Sequence, residues 1–111
     1  MNKYIIINTT TDSLKEAEKI EEVLLNEKLA ACIQVSKITS YYNWQEKQEK
    51  TEEYLLVIKT RKRLFNQIED KIKEIHSYEV PEIIAYEITN ISHDYAKWID
   101  EITRKDDLEW I

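Results

Sequence analysis

The sequence predicts an α+β protein in which the elements follow the order βαββαβ and a further helix comes last. Short segments rich in β-branched and aromatic residues alternate with segments whose apolar residues recur every three to four positions. These are the spacings of strands and of amphipathic helices. A length of 111 residues suits one domain, residues 1–111, that can bury a hydrophobic core.

The first two elements are a buried strand and a helix. The strand covers residues 3–9, which are mostly β-branched or aromatic and precede a polar run. Thr11, Asp12 or Ser13 can cap the helix through a side-chain oxygen. The helix has one apolar face, formed by Leu14, Ala17, Ile20, Val23 and Leu24.

Residues 31–60 predict two long strands on either side of a polar turn at residues 45–49. The apolar residues of the first strand change parity near Ser36 and Lys37, so a β-bulge is expected there. The return strand is apolar on both parities over residues 54–58, which predicts a central strand covered on both faces. The residues that show the change of parity are Ile33 and Val35 before it and Ile38, Tyr42 and Trp44 after it.

The remaining elements complete a ferredoxin-like βαββαβ sandwich with a C-terminal helix. A second helix is predicted over residues 63–75, a fourth strand over residues 82–91 and a last helix over residues 94–103. Residues 104–111 favour neither helix nor strand.

Composition excludes several classes of protein. Glycine is absent, so the Gly-rich phosphate loop, the dinucleotide fingerprint and the Gly-x-Ser-x-Gly elbow are excluded. A net charge of −6 argues against a nucleic-acid partner. One cysteine and no long apolar run or leader predict a cytoplasmic protein without a membrane partner.

The long hairpin predicts self-association. Strands of about 12 residues would span roughly 40 Å, whereas a compact chain of this length is about 34 Å across. The hairpin therefore extends beyond its own domain and exposes Tyr41, Tyr42, Trp44 and Tyr54. Pairing with further copies would cover this surface, and a closed homo-oligomer is expected.

Three ordered motifs carry a family resemblance over residues 4–103. They are Leu29-Ala30-Ala31-Cys32, then Ser40-x-Tyr42-x-Trp44, then His76-x-Tyr78-Glu79-x-Pro81-Glu82. In this order and spacing they resemble the CutA family, which is named for divalent-cation tolerance.

The resemblance implies a homotrimer similar to the PII signalling proteins and a link to copper and other divalent cations. His76 and Glu82 match positions in or beside the metal ligands proposed for some members. Two other proposed ligand positions are occupied by Asn8 and Ile75. No resident cofactor is required, and copper or another divalent cation is the expected ligand.

Residues 74–84, EIHSYEVPEII, allow two interpretations. In the structural one, His76 ends a helix and Pro81 marks the start of the fourth strand. In the other, His76 with Glu79 or Glu82 contributes to a metal site, since imidazole and carboxylate are both metal ligands. One chain supplies few ligands, so a neighbouring subunit or water would complete that site.

The remaining candidate residues also have two interpretations each. Cys32 is expected to pack as a small hydrophobe in an apolar strand, because no base can be placed beside it as a nucleophile would require. Trp44, Tyr78 and Lys59 could form an intersubunit pocket for a small anion, whereas aromatic pairs and a solvated basic face explain the same residues without a ligand.

The predicted function is therefore that of a homotrimer in divalent-cation tolerance, which responds to metal ions through candidate ligands His76 and Glu82. The alternative is a PII-like trimer that senses a small anion. An enzyme is not expected, because no nucleophile, base and orienting group can be assembled.

Overall fold

A computed structural model describes residues 3–104. The elements are β1 (Tyr4–Thr11), α1 (Leu14–Asn26), β2 (Cys32–Trp44), β3 (Lys47–Arg61), α2 (Phe65–Ile75), β4 (Ile84–Glu87) and α3 (His93–Ile102), with a 3₁₀ turn at Lys62–Leu64 before α2. The βαββαβ order and the final helix confirm the predicted fold class. The unassigned segment after residue 104 lies outside the described residues.

The four strands form one antiparallel sheet in the order β2-β3-β1-β4. β3 lies between β2 and β1, which confirms that the return strand is central. The apolar faces of α1 and α2 pack on one face of the sheet. There they form a core with the inward residues of β1 and β3, including Ile7, Ile20, Leu24, Ile58 and Ile72.

Helix α1 begins as predicted. The Ser13 hydroxyl accepts a hydrogen bond from the backbone N–H of Glu16 at 3.1 Å, which satisfies one of the free donors at the helix start. The C-terminal helix lies against the opposite face of the sheet from the core. Its Asp100 accepts a hydrogen bond from Tyr4 at 2.8 Å, and Tyr4 points away from the core because it alternates with buried Ile5.

The predicted bulge at Ser36 and Lys37 is wrong. The register between β2 and β3 runs without interruption from Cys32 opposite Lys59 to Trp44 opposite Lys47. The apolar residues change from one face of the sheet to the other because the layer of helices covers only the first part of β2. Ile33 packs against the core beneath the helices, whereas Ile38 lies beyond them, on the other face with Glu53.

The turn and the fourth strand are both shorter than predicted. Only Gln45 and Glu46 connect β2 to β3, and both have positive φ, 51° and 64°. The ladder of β4 ends at Glu87, opposite Ile5, because its partner β1 begins at Tyr4. Pro81 lies three residues before β4 begins, and so in the connection rather than at the strand's first residue.

The hairpin extends beyond the body of the domain, as its length predicts. The chain measures 46 × 29 × 22 Å with a radius of gyration of 14.9 Å, against about 13 Å for a compact chain of this size. Tyr41 is 70% exposed and Trp44 45% exposed near the hairpin tip. No helix in residues 3–104 is long and apolar enough to cross a membrane.

Candidate functional site

His76 follows the last residue of α2 and is held at both ring nitrogens. Its side chain is fully buried. Nε2 lies 2.7 Å from the carbonyl oxygen of Thr10, and since a carbonyl only accepts, Nε2 carries the proton. Nδ1 accepts a hydrogen bond from the backbone N–H of Tyr78 at 3.1 Å. The imidazole therefore joins the end of β1 to the connection that follows α2.

Glu16 of α1 fixes the same connection from the other side. Its Oε1 accepts from the backbone N–H of Ser77 at 3.0 Å, and its Oε2 accepts from the Thr11 hydroxyl at 2.5 Å. The Ser77 hydroxyl donates to Oε2 at 3.3 Å, and His76 Nδ1 lies 3.4 Å from that oxygen. Residues 76–78 are thereby held to both β1 and α1.

Tyr78 links this connection to the long hairpin. Its hydroxyl donates to Oε2 of Glu53 at 2.8 Å, and its ring centroid lies 4.8 Å from that of His76. Burial, followed by the hydrogen bond to Glu53, raises the pKa of the Tyr78 hydroxyl. The Tyr78 hydroxyl therefore keeps its proton and donates the hydrogen bond, and Glu53 accepts it.

A cavity of about 550 Å³ lies between the hairpin and residues 78–82. We call it the corner pocket. It has three carboxylates and no Lys, Arg or His among its lining residues in the described part of the chain. Its walls are Thr10, Ser40, Tyr41, Tyr42, Trp44, Glu53, Tyr78, Glu79, Val80 and Glu82.

The carboxylates of the corner pocket influence one another. Glu53 is 5% exposed, and Tyr78 is its only hydrogen-bond partner through the side chain within residues 3–104. Burial raises the pKa of Glu82, and the negative charge of Glu53 raises it further. A buried carboxylate without a counter-charge is unfavourable, and the described residues that line the pocket include no basic side chain that could supply one.

The family of the chain is decided by comparison with known proteins. The model of the CutA1 divalent ion tolerance protein family matches residues 5–102. The chain belongs to the CutA1 family. This confirms the resemblance, and the family is named for cation tolerance rather than for an enzymatic activity.

Relatives and solved structures agree with this family. The CutA protein of Archaeoglobus fulgidus is 40% identical over 101 residues, and the match covers 91% of this chain and 97% of that protein. The CutA protein of Pyrococcus horikoshii is 38% identical over 101 residues, and the match covers 91% of this chain and 99% of that protein. The crystal structure of CutA1 from Oryza sativa has a TM-score of 0.90 at 32% identity, with 95% of this chain and 97% of that chain covered. One A. fulgidus CutA structure is described as periplasmic, and an Arabidopsis thaliana relative as chloroplastic.

The metal ligands expected from the resemblance fit this CutA1 chain only in part. Both ring nitrogens of His76 are hydrogen-bonded, so a metal would have to displace Thr10 or Tyr78. Within residues 3–104, no three His, Cys, Asp or Glu side chains are grouped as metal ligands. Glu82 remains accessible at the corner pocket. The geometry favours the structural interpretation of His76, and its role as a ligand stays a prediction.

The predicted pocket residues are only partly brought together. Trp44 and Tyr78 line the corner pocket with Glu82, but Lys59 does not. Lys59 is paired with Cys32 at the other end of the hairpin, roughly 40 Å along the strand from Trp44. Its Nζ lies 5.8 Å from the ring centroid of Tyr95 on α3. Within residues 3–104 of one chain, the corner pocket therefore has no cationic side chain for a small anion, and the pocket between subunits stays a prediction.

Cys32 also differs from its predicted environment. It is half-buried and shares the sheet face of its cross-strand partner Lys59, which is the face away from the helical core. There it neighbours Tyr95, whose pKa is raised by burial and by this contact. The apolar neighbours of Cys32 in sequence belong to the core because strand residues alternate between faces.

Sequence reasoning missed Glu53, Glu16 and Thr10. Glu53 had one detectable signal, since it precedes the apolar run Tyr54–Ile58 and pairs with Ile38 once the hairpin register is known. Glu16 and Ser77 are 61 positions apart, and no local pattern indicates their contact.

Proposed function

We propose that this CutA1-family protein is a cytoplasmic homotrimer that contributes to the response to divalent metal ions by binding copper or another divalent cation weakly at the corner pocket. The observation that carries the proposal is that three carboxylates, Glu53, Glu79 and Glu82, line one pocket that has no basic side chain among its described lining residues. Carboxylate oxygens are ligands for divalent cations. Glu82 is the accessible candidate ligand.

Homotrimer formation is supported by the surface that the single chain leaves uncovered. The sheet face opposite the core exposes Ile84 to 52% and Tyr86 to 49%, and the hairpin tip exposes Trp44. The buried side-chain oxygen Oδ1 of Asn8, on the same face, has no hydrogen-bond partner within residues 3–104. Exposed apolar area beside an unsatisfied polar group is typical of an interface.

A second subunit would also supply the missing ligands. Because one chain presents no complete set of three ligands in its described part, a specific metal site needs water or a neighbouring copy. A cytoplasmic location agrees with the single cysteine, Cys32, which is a free thiol.

The metal-binding part is tested by a chelator-buffered copper titration of the tag-free protein. Glu82→Gln keeps the shape of the side chain and removes its charge, and Glu101→Gln makes the same change at an exposed position of α3. We expect saturable binding that weakens with Glu82→Gln and not with Glu101→Gln. Equal titrations for all three proteins would contradict a role for Glu82.

The trimer is tested separately by sedimentation equilibrium at micromolar concentration. We expect a mass three times the 13.4 kDa of the chain, and Tyr86→Glu should shift the distribution towards monomer by placing charge on the exposed sheet face. A wild-type protein that sediments as a monomer would contradict the trimer.

A further inference from the structure

The corner pocket combines acidic and aromatic walls. Tyr42 and Trp44 lie two residues apart on β2, so they share a face, and they are 40% and 45% exposed. The Tyr42 hydroxyl is hydrogen-bonded to the hydroxyl of Thr51 across the hairpin at 2.8 Å, which restrains its ring. Glu53 lies on the same face, opposite Ile38.

The size of the corner pocket exceeds what a metal ion needs. A volume of about 550 Å³ falls within the range of roughly 300–1,000 Å³ found for small-molecule sites. A bare divalent cation also requires several converging ligands, and the described residues group no three. An organic cation requires only a counter-charge and an apolar wall.

Aromatic faces and carboxylates together recognise ammonium groups. The negative face of an aromatic ring attracts a cation held within about 6 Å of its centroid. Glu53 supplies a buried negative charge, and Val80 supplies apolar surface beside it. Among the described lining residues a small anion would meet three carboxylates and no basic group, so this lining disfavours it.

We infer that the corner pocket binds a small organic ammonium ion, with its charged nitrogen at Glu53 and Glu82 and its carbon atoms against Trp44 and Tyr42. This activity goes beyond divalent-cation binding, which uses carboxylate oxygens and not the aromatic wall. Substitution of an aromatic residue in this wall therefore distinguishes ammonium binding from divalent-cation binding.

The test is isothermal titration of the full-length protein with 1,4-diaminobutane and, separately, with tetramethylammonium chloride. Sodium chloride at matched ionic strength corrects for screening. Trp44→Leu replaces a ring that is 45% exposed in the single chain by a smaller apolar side chain, and sedimentation equilibrium checks that the variant keeps the wild-type assembly. Glu53→Gln removes the buried charge while its amide oxygen still accepts from Tyr78. Glu101→Gln is the remote control.

We expect saturable binding of at least one ammonium probe, weakened about tenfold by Trp44→Leu, as the loss of a cation–π contact implies. Glu53→Gln should weaken it at least as much, and Glu101→Gln less than twofold. Binding of diaminobutane alone would show that the pocket takes a primary ammonium ion. Binding of tetramethylammonium would show that it takes a quaternary one. Heats equal to those of sodium chloride, or equal affinity in Trp44→Leu and wild type, would overturn the inference.

A copper titration of Trp44→Leu separates this result from the metal proposal. If that variant keeps its copper binding and loses ammonium binding, both statements hold. If the wild type binds copper and neither ammonium probe, the inference fails and the metal proposal stands.

Discussion

Replacement of His76 by alanine distinguishes the two interpretations of the corner. The side chain is fully buried, donates to the Thr10 carbonyl and accepts from the Tyr78 N–H. Alanine removes both hydrogen bonds and leaves the two backbone groups without their partner. We therefore expect a large loss of stability whether or not a metal is present.

The magnitude follows from the two groups left unpaired. An unsatisfied buried donor or acceptor costs about 1–3 kcal/mol. Because both hydrogen bonds lie in partly buried surroundings, the lower part of that range applies to each, and the sum is about 2–4 kcal/mol. This is a large fraction of the roughly 5–15 kcal/mol that stabilises a typical domain.

The assay is guanidinium unfolding followed by far-UV circular dichroism, at one fixed protein concentration because oligomer stability depends on concentration. His93→Ala is the matched control, since His93 is the chain's other histidine and is exposed at the start of α3. It should change stability by less than about 0.5 kcal/mol. If His76→Ala unfolded like the wild type while copper binding was lost, the structural interpretation would be refuted.

Three further predictions concern the turn and the corner pocket. Gln45→Asn with Glu46→Gly should stabilise the protein by up to about 1 kcal/mol in guanidinium unfolding, because both turn residues have positive φ, which is unfavourable for residues with a Cβ. Tyr78→Phe should destabilise it by about 1.5–3 kcal/mol in the same assay, since the buried Glu53 carboxylate loses its hydrogen bond. Burial and the charge of Glu53 raise the pKa of Glu82 above 4.5, so the folded chain binds this proton more tightly than the unfolded chain. The resulting stability is present below pH 4.5 and is lost as pH rises through the raised pKa. Glu82→Gln should therefore be more stable than wild type at pH 7 and lose this advantage at low pH, and a pH-independent difference would contradict that.

Local patterns were sufficient for most of the fold. The helical spacing of apolar residues predicted α1 and α2, and the polar residues Thr11, Asp12 and Ser13 predicted where α1 begins, with Ser13 forming the cap in the structure. The errors occurred where an element depends on distant neighbours. β4 ends where its partner β1 begins, and the change of face near Ser36 follows from where the helical layer ends.

The candidate site was also predicted only where it depends on residues that are close in sequence. Tyr78 and Glu82 were predicted and lie together because one short segment carries both. Lys59 lies apart from them within one chain because the register of the hairpin sets it opposite Cys32, and its place in a pocket between subunits stays a prediction. Glu53 was not predicted as a site residue because its partner Tyr78 is 25 residues away in sequence.

The two interpretations of residues 74–84 are compatible once the hydrogen bonds are considered together. His76 and Glu16 hold the start of the connection on β1 and α1, and this fixes the direction in which Tyr78 and Glu82 leave it. Tyr78 then holds Glu53 of the hairpin, so the wall of the corner pocket depends on a histidine that does not line it. The structural corner preorganises the pocket, and preorganised groups lose less entropy when a ligand binds. We therefore expect His76→Ala to weaken ligand binding at the corner pocket through Tyr78 and Glu53, although His76 does not line the pocket.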